Sequence, residues 1–200
     1  VEIRWRCHPK HLRDTGGERE ATPETATLHF PGGLADYLSD VIAARHTLTP
    51  LAFTGAMESN DGGAPGKVEW AICWPRDEDG FVSSYCNTIP TPQGGSHETG
   101  LRTALSRSLK AYGELTGAKK AAQITAEDVA GGACVLLSVF ITDPQFQGQT
   151  KEKLSSPSAT RLVEGAIKDH FDHWLTSDPI AANDLLERVL ERADERQRRR

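Results

Sequence analysis

Ala133-Cys134-Val135-Leu136-Leu137-Ser138-Val139-Phe140-Ile141 is a near-continuous apolar run, broken only by Ser138. A run of this length that is apolar at both parities belongs to a strand covered on both faces, at the centre of a sheet. It leads into Pro144-Gln145-Phe146-Gln147-Gly148-Gln149-Thr150-Lys151-Glu152-Lys153-Leu154, a polar stretch containing a glycine. Ser156-Pro157 then reads as the cap and first residue of a helix. Gly148 gives the stretch backbone freedom, and Lys151 offers a compact point charge suited to phosphate. A lysine presented beyond a buried strand is a place for an anion. As chemistry alone the signal is weak, since most such loops are solvated connections.

Upstream the pattern is one of strands. Val1, Ile3, Trp5 and Cys7 alternate with Glu2, Arg4 and Arg6, which predicts a half-buried strand, and Ala26 to Phe30 is its candidate partner across a polar connection from His8 to Pro23. Gly32-Gly33 stands outside any GxGxxG pattern and reads as a turn, not a phosphate cradle. Leu34, Leu38, Val41 and Ile42 then mark one face of a helix ending near His46. Strands are expected over Leu51–Met57, Lys67–Trp74 and Phe81–Asn87, joined by turn chemistry at 58–66 and 76–80, as an antiparallel meander. Val68, Trp70, Ile72 and Trp74 share a face of the second. The tryptophans there are read as core in preference to a base-stacking platform.

Downstream the period changes to that of helices. Leu101, Leu105, Leu109 and Tyr112 form a stripe on a helix from about Glu98 to Leu115, with Arg102, Arg107 and Lys110 off the stripe as a basic flank. That flank suits either solvent or DNA phosphate. His97, just before the helix, is read as structural, with no serine or carboxylate arrangement nearby in the sequence to make a triad. Thr125 with Asp128 predicts a capping box, closed by Gly131-Gly132. Val163, Ala166, Ile167, His170, Phe171 and Trp174 line the helix after Pro157. His170 and His173 alone are too few to hold a metal. Asp178-Pro179 caps a last helix with Leu185, Leu186, Val189, Leu190 and Ala193 as its seam, dense in alternating charge from Glu187 to Arg200 and expected to project from the domain. Strands first, then helices around a buried strand, define an α+β fold: a mostly antiparallel sheet covered by helices on one side.

Composition narrows the function classes. The chain has 200 residues, 38% of them hydrophobic, enough for one core with an appendage. A formal net charge of −5 argues against a general nucleic-acid coat while leaving local basic patches open. Cys7, Cys73, Cys86 and Cys134 show no Cys-x-x-Cys spacing, so buried, reduced thiols of a cytoplasmic protein are expected. No apolar run reaches the length of a membrane span, and no signal peptide opens the chain.

Two blocks carry a resemblance. Phe146-Gln147-Gly148-Gln149-Thr150-Lys151 resembles the QTK loop of type IIA DNA topoisomerase ATPase subunits. Tyr85-Cys86-Asn87-Thr88-Ile89-Pro90-Thr91-Pro92-Gln93-Gly94-Gly95-Ser96-His97-Glu98-Thr99-Gly100-Leu101 resembles the same family's asparagine followed by Gly-Gly-(Ser/Thr)-His before a helix. Ile89-Pro90-Thr91 and Lys151-Glu152-Lys153-Leu154-Ser155-Ser156 are nearer the topoisomerase IV branch than the gyrase branch.

The resemblance implies a transducer domain over 1–178 and a C-terminal helix over 179–200 leading to a further domain. It implies a ribosomal protein S5 domain 2-like fold with a left-handed βαβ crossover, in a chain that is cut from a longer one and inactive alone. The family's ATP site lies in a preceding domain, and neither Glu-x-x-x-Asn-Ala-x-Asp-Ala nor Asp-x-Gly-x-Gly occurs here. By the same resemblance Lys151 contacts the γ-phosphate of ATP with Gln149 in support. Mg2+ belongs to the complete enzyme and is not held by this chain. The implied partners are a DNA duplex, the topoisomerase's DNA-cleaving subunit in a heterotetramer, and a second copy through the preceding domain, in the bacterial cytoplasm at the chromosome. Besides the equivalent domain of the gyrase branch, the nearest rival, two other readings remain open. One is a nucleic-acid-binding module of the same fold; the other is the nucleotide-sensing domain of a mismatch-repair or chaperone ATPase.

Overall fold

The computed structural model describes residues 1–12, 23–43, 45–60, 64–76 and 80–199. Much of the connection expected at 8–23 and parts of the turns at 58–66 and 76–80 lie outside these residues, as does Arg200.

Strand β1 (Glu2–Arg6) pairs antiparallel with β2 (Thr25–His29) in a two-stranded sheet of its own. The partner is the expected one, but the strand is not half-buried. Ile3 is 54% and Trp5 39% exposed, and neither belongs to a core cluster. Helix α1 (Leu34–Ile42) begins at Gly33, whose φ of 67° places it in the left-handed region. Its cap is borrowed: the Leu34 N–H donates to Glu69 Oε1 at 2.8 Å, a carboxylate at the positive end of the helix.

The main sheet has five strands in the order β3-β4-β7-β5-β6, from β3 (Phe53–Ser59), β4 (Gly66–Cys73), β5 (Phe81–Cys86), β6 (Ile89–Pro90) and β7 (Cys134–Phe140). The expected meander is corrected here. β7 separates β4 from β5, pairing antiparallel with the first and parallel with the second, with Trp70 opposite Leu137 and Val82 opposite Val135. Period-two patterning marks strands but not their neighbours. The strand that is apolar on both faces takes the central place because only there are both faces covered. Val135, Leu137 and Val139 enter the large core with Val68, Trp70 and Ile72. Cys134 and Leu136 face the other way, with Ala71 and Cys73, under Leu38 of α1.

From β5 the chain crosses to β7 through β6, helix α2 (Ser96–Leu115) and the short helix α3 (Ala126–Ala130), a βαβ crossover. Helices α2, α4 (Pro157–Ser177) and α5 (Pro179–Arg198) cover one face, and α1 covers part of the other. Trp70, Trp74, Phe53, Phe171 and Trp174 form a continuous aromatic cluster, with Phe53 and Phe171 centroids 4.9 Å apart. Trp70 and Trp74 are 0% and 2% exposed, so their faces belong to the core.

α5 departs from expectation. It does not project but lies along the domain, burying Leu185, Leu186, Val189 and Ala193. Near its end Arg196 grips Asp128 with two bonds of 2.9 and 3.0 Å and also donates to the Gln123 carbonyl. The Asp128 carboxyl feels burial, which raises its pKa, but bonds from Arg196 and Thr125 outweigh this and hold it below the ordinary range. Asp128 also closes the expected capping box with Thr125.

α2 and α4 approach closely because Gly100 has no side chain. A Cβ there would lie 2.4 Å from the Thr160 carbonyl oxygen. Gly100→Ala is therefore expected to lower unfolding free energy by about 1–3 kcal/mol. Gly165→Ala in α4, with nothing within 4 Å, should raise it by roughly 0.5–1 kcal/mol through helix propensity. Urea denaturation of both variants checks this, and equal effects would remove close packing at Gly100 as the cause.

Candidate functional site

Beyond β7 the backbone is held at both ends of a projecting loop. At the first root the Asn87 amide acts as a piece of strand: Nδ2 donates to the Ile141 carbonyl and Oδ1 accepts the Ile141 N–H, both at 3.0 Å. Asn87 and Thr88, with φ of 49° and 68°, make the two-residue turn between β5 and β6. The Gln145 N–H donates to Ser156 Oγ at 2.8 Å, so this hydroxyl closes the loop and does not cap its own helix. Ser155 N–H to Gln145 carbonyl and Gln147 N–H to Lys153 carbonyl, both 2.8 Å, complete a short hairpin with Phe146 opposite Leu154.

The second root joins the two blocks quoted from the sequence. Residues 93–96 run beside 152–154: Gln93 N–H to Glu152 carbonyl at 3.0 Å, Leu154 N–H to Gly94 carbonyl at 3.0 Å, and Ser96 N–H to Leu154 carbonyl at 2.9 Å. Gly95 makes this approach possible, with φ of 140° and a Cβ position only 2.1 Å from the Leu154 carbonyl oxygen.

At the tip, Gly148 has φ of 83° and Lys151 φ of 57°. Gln149 and Lys151 are both exposed, and among the described residues neither side chain has a hydrogen-bond or ion-pair partner. Thr150, between them, donates to Glu152 Oε2 at 3.3 Å. The arrangement offers an ammonium and a primary amide to an incoming acceptor from a loop with fixed roots. Phosphate oxygens fit that donor set.

The basic residues of α2 are not one face. Arg102 pairs with Glu127 at 2.8 Å toward α3, and Arg107 pairs with Glu164 of α4. Five residues apart on a helix, the two point about 140° away from each other. Lys110 has no partner among the described residues. His170 is absorbed by structure, with Nδ1 against the Ala166 carbonyl at 2.8 Å and its ring edge-on to Trp70. No group of three or more His, Cys, Asp or Glu able to hold a metal occurs among the described residues. The cysteines are free thiols, three of them buried. No described helix is long and apolar enough to cross a membrane.

Sequence reading missed a buried polar chain beside the second root. Thr91 Oγ1 lies 2.9 Å from His97 Nε2 and 2.7 Å from Ser84 Oγ, and Ser84 Oγ donates to Glu98 Oε1 at 2.6 Å. A serine and a carboxylate thus do stand near His97, but Thr91 lies between, so no nucleophile–base pair forms and the structural reading of His97 holds. Ser84 is distant in sequence, which left no spacing signal to find it.

A family profile described as DNA gyrase B matches residues 33–200. The chain, with its βαβ-crossed sheet, therefore belongs to the DNA gyrase B family. Within that family it is 52% identical over its whole length to the B subunit of DNA topoisomerase 4 from Caulobacter vibrioides, and 50% identical to that of Bartonella bacilliformis. It spans 28% of the length of either relative. Among solved structures it resembles the topoisomerase IV ATP binding domain of Francisella tularensis in complex with a small-molecule inhibitor. The TM-score there is 0.72 at 35% identity, covering 86% of this chain and 46% of that one. It also resembles the 43K ATPase domain of Thermus thermophilus gyrase B in complex with an aminocoumarin, with TM-score 0.75, 26% identity and the same coverages.

Burial pushes the His97 imidazole down to about 4 from its ordinary 6.5, because the interior disfavours the charged form. The unfolded chain then binds this proton below pH 6.5 while the folded chain does not until about 4. The stabilisation is complete above 6.5 and falls by about 3 kcal/mol as pH drops to 4. Urea midpoints from pH 7.5 to 4.5 should therefore fall less steeply in His97→Gln than in wild type. Parallel slopes would assign the pH dependence elsewhere.

Proposed function

We propose that this chain is the transducer part of a topoisomerase IV B subunit, in which Lys151, aided by Gln149, contacts the γ-phosphate of ATP held by a preceding domain. The observation that carries the reading is the pair of unpartnered donors at the tip of a loop with tied roots. The identity of about one half to the B subunits of DNA topoisomerase 4 supports the same assignment.

ATP, when bound in the complete enzyme, supplies a terminal phosphate that ADP lacks. Lys151 and Gln149 thus have a partner in one nucleotide state and none in the other. A difference in contact between two states is what shifts a conformational equilibrium. The loop roots pass that difference to α2 and α4, so residues 1–178 turn as a body, a rigid-domain movement of the kind that operates gates. α5, within 179–200, carries the movement toward the next domain.

In this reading two copies, dimerised through their preceding domains and joined with the DNA-cleaving subunit of the heterotetramer, close around one DNA duplex for passage through a break in another. The results are decatenation and relaxation. Mg2+ serves the complete enzyme. Arg102, Arg107 and Lys110 are the DNA-facing candidates. Lys110 leads them because Arg102 and Arg107 already have carboxylate partners.

The test is DNA-stimulated ATP hydrolysis by the complete subunit with its partner. Removing a charge-assisted contact of about 1.5–3 kcal/mol in Lys151→Ala should lower hydrolysis about tenfold or more while ATP binding is mostly kept. Unchanged hydrolysis would return the loop to a solvated connection.

A further inference from the structure

Lys151 has an acidic chain neighbour, Glu152, yet the two do not pair. One oxygen of the Glu152 carboxylate is already engaged. Gln93 Nε2 donates to Glu152 Oε2 at 2.7 Å, and Thr150 Oγ1 donates to the same oxygen at 3.3 Å. The Gln93 backbone N–H binds the Glu152 carbonyl as well, at 3.0 Å, so Gln93 holds both ends of this residue. Both chain neighbours of Glu152, Lys151 and Lys153, are cations, and a carboxylate that loses its donor is drawn toward them.

We propose that Gln93 is a positioning residue for the phosphate-contact loop: its amide engages the Glu152 carboxylate and so keeps Lys151 free for an incoming phosphate. This rests on the reading of Lys151 given above. Gln93 bonds to Glu152 and acts through it. The backbone ladder between 93–96 and 152–154 supplies the stability of the root, so the side-chain contact sets charge placement on an already formed frame. Loss of the amide alone leaves only the longer Thr150 bond on the carboxylate, which can then turn toward Lys151, and loss of both groups leaves Lys151 free again.

The experiment compares wild type, Gln93→Ala, Gln93→Ala with Glu152→Gln, and Lys151→Ala in the complete subunit with its partner. It follows DNA-stimulated ATP hydrolysis as kcat and KM, with thermal unfolding as the check on folding. Gln93→Ala should lose roughly three- to tenfold in kcat/KM, the effect of one misplaced charge-assisted hydrogen bond, with an unchanged unfolding temperature. The double variant should recover most of the loss, a rescue that a merely structural role for Gln93 would not give. Loss without rescue, or no loss in Gln93→Ala while Lys151→Ala is impaired, overturns the positioning role and leaves the Lys151 reading standing. No loss in Lys151→Ala overturns both.

Discussion

The arrangement depends on a ladder of backbone hydrogen bonds between residues 93–96 and 152–154. Backbone pairing is indifferent to most side chains, but it needs the two strands of chain to come within bonding distance. Gly95 is what lets them, since a Cβ there would lie within van der Waals overlap of the Leu154 carbonyl. The ladder ends at the first residue of α2, and Thr160 of α4 donates to the Ser96 carbonyl at 2.9 Å. One short contact therefore joins the loop, the start of α2 and the start of α4. The root of the loop is thereby bonded to two helices at their first turns. Gly100, one turn further along α2, lets those helices continue in close contact.

Much of this fold was legible, and the limits have physical causes. Apolar residues at both parities from Cys134 to Val139 announced a central strand, because burial on two faces is a property of the residues themselves. The helices α2, α4 and α5 followed from stripes at helical spacing, and the Thr125–Asp128 box from local chemistry. Strand order was not legible. The place of β7 between β4 and β5 is a pairing across long separations, and alternation within a strand carries no address for its neighbour. The same holds for α5. Its charged residues looked solvated, yet Lys120–Asp194 at 2.6 Å and Arg196–Asp128 lay the helix onto the domain through partners that the sequence does not pair.

The site divides along the same line. Gln149 and Lys151 came from a short contiguous motif, and the structure leaves both side chains open at the tip. Asn87 stood in the other motif, but its use as a two-bond clip on Ile141 is tertiary. Gln93 lay in the same block, but an exposed glutamine before a glycine pair looks like any loop residue, and its hold on Glu152 is tertiary. The partners of Arg102 and Arg107 were equally hidden. Both are spent in ion pairs to α3 and α4, which changes a supposed basic flank into separate links between helices.

Lys151 itself shows how the frame and the tip are related. A lysine with φ of 57° sits where a side chain costs about 1–3 kcal/mol, and such conformations persist only where the surroundings fix them. Here the bonds of Gln147 to Lys153 and of Leu154 to Gly94 fix the chain on either side. The lysine is also unpaired in a chain whose 28 acidic residues outnumber its 23 basic ones. The strained backbone at this exposed position works against stability and contributes nothing to the core beneath. A strained residue held on both sides by backbone bonds is the feature that the proposed phosphate contact builds on.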